Sequence, residues 1–262
     1  MSPTAEDAAI DPRIRQRREQ VERGRTQKRM RWLALAAGVV ALAVVGAVLL
    51  HTPLFGAKHV TVTGAHPNTS TAAIEAAAGV LHQPPLISVD PGPAAARVES
   101  LPFIASAQVS RHWPDSVTIA VTERVPTTTM AGPGASWSTL DGNGRTLAVG
   151  PARPVLPVLI VTTVRGPVPP APVGGTIAPA AAPGLLVART LPPAFAGQVV
   201  SVTVAPDRTV SLALTSGLVV LLGTVADLHA KYEDVAAIIA HAPLQGAHTI
   251  DVTVPQSPTV GR

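Results

Sequence analysis

The most distinct pattern along the chain is an apolar run, Trp32 to Leu50, nineteen residues without a charge. As a helix it spans about 28 Å, close to the roughly 30 Å hydrocarbon core of a bilayer. Beyond it the periodicity shortens. Val60 and Val62 share one face of Lys58–Thr63 before Gly64, which predicts a strand. Asn68, Thr69 and Ser70 offer caps for a helix over Ala72–Ala78, with Gly79 at its C-cap position. Asp90-Pro91 opens a second short helix through Val98, which Pro102 stops. Ala105, Ala107 and Val109 alternate with polar residues, Trp113-Pro114-Asp115 turns the chain, and Val117, Ile119 and Val121 alternate again. The predicted order over residues 55–125 is strand, helix, helix, strand, strand.

From Pro126 the pattern is mainly that of strands. Trp137–Leu140 and Thr146–Val149 flank Asp141-Gly142-Asn143-Gly144-Arg145, a hairpin loop by its Asp-Gly and Asn-Gly content. Residues 165–184 are rich in Pro, Gly and Ala and predict an exposed, extended insertion. Val199–Val204, Thr209–Leu214 and Leu218–Leu222 predict a meander. Thr224 and Asp227 then form a capping pair for a helix whose Leu228, Tyr232, Val235 and Ile239 fall on one face. A last strand, Thr249–Val254, places Ile250, Val252 and Val254 on one side. The fold class is α+β: one N-terminal transmembrane helix, a β-α-α-β-β unit (55–125), a mainly antiparallel β unit with a C-terminal helix (126–256), and a tail (257–262).

Charge gives the anchor a direction. Residues 1–31 hold nine Lys/Arg against five Asp/Glu, which accounts for the whole net charge of +4. The basic excess before the run places the N-terminus in the cytoplasm. A cleaved signal peptide has a shorter apolar core and a small-residue cleavage site, which Leu49-Leu50-His51-Thr52-Pro53 does not offer. No pattern orders residues 1–31, whose charge suits anionic headgroups. Ala34/Gly38 and Ala43/Ala47 have small-xxx-small spacing, which arises by chance in so Ala-rich a segment.

Reactive chemistry is not legible. The part beyond residue 31 is neutral and poor in aromatics, unlike a nucleic-acid face. Cysteine is absent, and the eight His fall in no ligand spacing. Gly134-Ala135-Ser136-Trp137-Ser138 lacks the last glycine of a nucleophile elbow. Asp90, Asp115, Asp141, Asp207 and Asp227 all fall at turns or caps, so no catalytic residue, cofactor or metal is expected.

Three strings carry a resemblance: Val62-Thr63-Gly64; Leu101-Pro102-Phe103-Ile104 leading to Arg111-His112-Trp113-Pro114-Asp115; and Val121-Thr122-Glu123-Arg124-Val125-Pro126. Just outside a single anchor, they resemble the POTRA domain of the FtsQ/DivIB cell-division family. Leu140-Asp141-Gly142-Asn143-Gly144, Leu222-Gly223 with Lys231, and Ile250-Asp251-Val252 are similar to that family's β domain. The resemblance implies a non-enzymatic septal scaffold in the cell membrane, joining early and late division proteins and binding FtsB/FtsL-type partners through its last strands and the preceding helix. Carried over, the partner-binding residues are Lys231, Thr249, Ile250, Asp251, Val252, Thr253, Val254 and Gln256. A terminal strand expected at a sheet edge fits strand addition, or else a merely protected edge. Two other functions compete: a POTRA-bearing secretion or assembly module, and an anchored hydrolase. Trp113 is expected to pack over a short helix, and Glu123 with Arg124 to form a solvated ion pair.

Overall fold

The computed structural model describes residues 12–50, 55–64, 68–241, 244–255 and 257–261. The apolar run lies in one helix, α1 (Pro12–Leu50). Its Arg29–Leu49 span has a mean hydropathy of 2.5 and is nowhere buried against protein. The helix begins well before the run, so the expectation of disorder is corrected from Pro12 onward. Arg, Glu and Gln are good helix formers, and extending an existing helix avoids the cost of nucleation.

The next unit has the predicted order: β1 (His59–Thr63), α2 (Thr71–Ala78), α3 (Pro91–Glu99), β2 (Ile104–His112) and β3 (Ser116–Glu123). The sheet runs β1-β3-β2, with β1 parallel to β3 from the pair His59–Ser116 onward. Ser70 caps α2 by accepting from the Ala73 amide at 3.2 Å, and Gly79 closes it at φ 80°. Arg97 on α3 donates to the Ala77 and Ala78 carbonyls at 3.0 and 2.8 Å, satisfying the end of α2. Asp90 stands at the N-cap of α3 without a side-chain capping bond. Ile74 and Val98 from the helices meet Val109, Val117 and Ile119 from the sheet in a core of their own.

The following unit contains β4 (Pro126–Ala131), β5 (Trp137–Asp141), β6 (Thr146–Gly150), β7 (Val158–Thr163), β8 (Gly166–Pro167), α4 (Ala182–Thr190), α5 (Pro193–Ala196), β9 (Val199–Val204), β10 (Val210–Leu214), β11 (Val219–Gly223), α6 (Leu228–His241), β12 (Thr249–Asp251) and β13 (Thr259–Gly261). One sheet takes the order β13-β12-β11-β10-β9-β7-β4-β5-β6, with β8 beside β7. Most pairs are antiparallel; β4–β7, β7–β9 and β11–β12 are parallel. Helix α4 packs on β4, β7 and β9, and α6 on β11.

Residues 165–184 depart from the expected exposed insertion. Ile177, Ala181 and Pro183 are buried, and α4 starts at Ala182 with proline in its first turn. Gly184 is what lets the helix lie this close to the sheet. A Cβ there would stand 2.6 Å from Val204 Cγ2 and 2.7 Å from Leu159 Cδ1. The expected Thr224–Asp227 cap also gives way: α6 begins at Leu228, and Asp227 has φ 52°.

Candidate partner-binding edge

Strand β12 lies between β11 and β13. Against β11 it is parallel: Val219 N–H donates to the His248 carbonyl and Val252 N–H to the Leu221 carbonyl, both at 3.0 Å. Alternation along a strand then turns the amides of Thr249 and Asp251 the other way, where β13 pairs antiparallel, Thr249 with Gly261 and Asp251 with Thr259. The expectation that Thr249–Val254 forms the sheet border is therefore corrected. Border position belongs to β13, in a segment expected to be a tail; the β-branched Thr259-Val260 after Pro258 is the sequence signal for it. All three β13 residues are exposed.

The predicted site residues separate into two groups. Ile250 and Val252 are core residues with no exposed surface. Thr249 and Asp251 are half-buried, whereas Thr253 is exposed and Val254 is 64% exposed. Asp251 Oδ1 accepts from the Thr253 amide at 2.9 Å and from the Thr253 hydroxyl, which turns the chain out of the sheet after Val252. Gln256 lies outside the described residues.

Lys231, expected among the partner-binding residues, would have to be exposed to serve as one, and its position is a correction. It is 1% exposed, and its Nζ donates to the carbonyls of Leu222 and Thr224, each at 2.8 Å. The long stem lets the ammonium reach back under the helix to the β11–α6 turn, where Gly223 takes φ 65°. Burial pushes the Lys231 pKa down, partly offset by Asp227. This is a clasp for the turn and leaves no group to meet a partner. One position on, the Tyr232 hydroxyl lies 3.2 Å from Thr190 Oγ1 and 3.3 Å from the Val187 carbonyl, tying α6 to α4. Burial pushes the Tyr232 pKa up, partly offset by the Thr190 contact. The outward face of α6 shows His229, Glu233, Ala237 and Ala240, with His229 and Glu233 3.2 Å apart.

A second feature joins the two units. Arg124 follows β3 and donates to the Ile104 carbonyl at 3.1 Å and to Asp141 Oδ2 at 3.0 Å. Asp141 is itself buried and accepts from the Asn143 and Arg145 amides at 2.9 and 2.8 Å, holding the predicted hairpin loop. Arg124 thus serves as a strut from the first unit to the second, a role the expected solvated ion pair does not describe. Trp113 packs on Phe55, ring centroids 6.3 Å apart, rather than over a helix, and stays 52% exposed.

Comparison with known proteins agrees with this architecture. The model of the FtsQ-type POTRA domain matches residues 55–124, and that of the C-terminal part of cell division protein FtsQ/DivIB matches residues 133–253. Cell division protein FtsQ of Mycolicibacterium smegmatis is 32% identical over 89% of this chain, which spans 65% of that relative's length. FtsQ of Mycobacteroides abscessus is 29% identical, covering 99% of this chain and 89% of that one. FtsQ of Streptomyces griseus is 34% identical, covering 71% of this chain and 88% of that one. With two family models in tandem behind one apolar helix, and relatives matched over most of their length, the chain belongs to the FtsQ/DivIB family of cell division proteins.

Proposed function

We propose that the chain is a divisome scaffold. Helix α1 crosses the cell membrane with its basic N-terminal side in the cytoplasm, and the outer units collect FtsB/FtsL-type partners at the septum without catalysing a reaction. The observation that carries the binding site is the contrast between β12 and β13. Strand β12 is anchored through Ile250 and, just after the strand, Val252, which have no exposed surface. Strand β13 is three residues long and exposed throughout. A short strand that buries little opens at low cost, and the amides of Thr249 and Asp251 beneath it then meet an incoming strand. In this reading β13 holds the place that a partner strand takes, next to Thr253 and Val254.

The test is capture of a purified FtsB/FtsL-type pair by the full chain, by a chain lacking residues 257–262, and by Thr249→Pro. Proline at the first strand residue removes an outward amide without touching the β11 ladder. Binding is expected to survive or strengthen on truncation and to fall in Thr249→Pro. Loss on truncation would mean that the partner adds to β13 instead. Capture indifferent to both changes would remove the site from this edge, and a fluorescent fusion spread evenly around dividing cells would remove the septal role.

A further inference from the structure

The POTRA unit has a defined end facing the anchor. Because β1 runs parallel to β3, its start at His59 lies level with Ser116, at the same end of the sheet as the Trp113–Asp115 turn. Ala57, two residues before β1, is pinned there by a bond from its amide to the Pro84 carbonyl at 2.9 Å. The opposite end of the sheet, at Glu123, leads into β4 and the second unit. Strand β3 is eight residues long, so the two ends stand roughly 27 Å apart. Phe55 follows the end of α1 at Leu50 by five residues, a covalent reach of at most about 18 Å. The hairpin turn is therefore held close to the end of α1.

The groups at this end suit a headgroup layer. Trp113 is half exposed and stacks edge-on against Phe55; such amphipathic aromatics collect at the membrane interface. Lys58 is exposed, as is Arg111, which also donates to the Ile87 carbonyl at 3.5 Å. The turn's own acid is already engaged: Asp115 lies 3.5 Å from His59 Nδ1 and accepts from Ser116 Oγ at 3.2 Å. Two cations thus flank an aromatic pair within tether range of lipid phosphates.

We propose that Phe55, Lys58, Arg111 and Trp113 form a membrane-contacting tip that rests in the outer headgroup layer and prefers anionic phospholipid. This rests on α1 being the membrane anchor, and it fixes the direction in which the second unit projects from the bilayer. Two single-tryptophan full-length chains test both claims together: Trp32→Phe/Trp137→Phe retains Trp113, and Trp113→Phe/Trp137→Phe retains Trp32. Each is reconstituted into vesicles of dibrominated phosphatidylcholine with or without phosphatidylglycerol. Quenching of both tryptophans is expected, with that of Trp113 about twofold greater in anionic vesicles and reduced by Lys58→Glu/Arg111→Glu. Quenching of Trp32 but not Trp113 would overturn the tip while leaving the anchor, and crosslinking of an unquenched Trp113 to a protein would assign the surface to that partner. Quenching of neither would overturn the anchor and the tip with it. Equal Trp113 quenching with and without anionic lipid would overturn the headgroup preference.

Discussion

Replacing Lys231 by methionine isolates the β11–α6 clasp. Methionine keeps most of the aliphatic stem, so little packing volume changes. What is lost are two bonds of 2.8 Å to the carbonyls of Leu222 and Thr224. Hydrogen bonds from a charged donor contribute about 1.5–3 kcal/mol each, and the buried Leu222 carbonyl left unpaired at the end of β11 adds to the loss. Against this, the variant no longer desolvates an ammonium, so a net cost of about 3 kcal/mol is expected. For a unit of this size that lowers Tm by about 10 °C. The pH dependence carries a sharper signature. The folded-state pKa of Lys231 lies below its ordinary value of 10.5, because burial disfavours the ammonium. The unfolded chain therefore binds the proton more tightly, and the contribution of Lys231 to stability rises as pH climbs from the folded pKa toward 10.5. Tyr232 acts oppositely: its folded pKa is raised above 10.0, so its contribution falls as pH passes 10.0. The difference between wild type and Lys231→Met cancels the tyrosine and should widen with rising pH. Thermal melts of the full chain in detergent, followed by near-UV circular dichroism across the alkaline range, measure it. A Tm shift within about 2 °C would refute the clasp, and a difference that narrows toward alkaline pH would refute the burial-lowered pKa.

Gly184→Val should destabilise the second unit by about 2–3 kcal/mol, read as a lowered Tm, since the new side chain must displace Leu159 and Val204 from a packed core. Arg124→Ala should cost about 3 kcal/mol by leaving the buried Asp141 carboxylate without its cation. It should also broaden spin-label distance distributions between the two units; unchanged distributions would deny Arg124 its bridging role. Asp207→Ala, at a fully exposed turn where the bonds from Thr209 hold the carboxylate pKa below its usual value, should leave Tm at neutral pH nearly unchanged. Val252→Pro should break the sheet interior rather than report on the border, because the Val252 amide bonds to the Leu221 carbonyl; loss of the folded signal in circular dichroism checks this.

What the sequence revealed follows the range of the interactions involved. The first unit was legible because each of its signals is local. Ser70 and Gly79 cap one helix, Pro91 starts another, and Val117, Ile119 and Val121 alternate along a strand. Helix α4 was hidden because its Pro, Gly and Ala composition reads as a linker. The glycine that weakens it as an isolated helix is the residue that admits it to the sheet surface, and only Val204 and Leu159 disclose that. Lys231 misled for a related reason: a lysine on an amphipathic helix ordinarily faces water, and the two carbonyls that hold it belong to the end of β11 and the turn after it.

The border strand is the most instructive case, since alternation reports which residues face the core and is silent about which strand stands last. Alternation places Ile250, Val252 and Val254 together on one side; Val254 is 64% exposed, whereas Ile250 and Val252 are core residues whose burial bars them from touching a partner directly. In the proposed reading contact falls instead to the backbone groups of Thr249 and Asp251, whose outward direction follows from the parallel ladder to β11. A site made of main-chain amides has no side-chain signature to find. Its position depends on how the sheet is ordered, and here β13 stands over those amides.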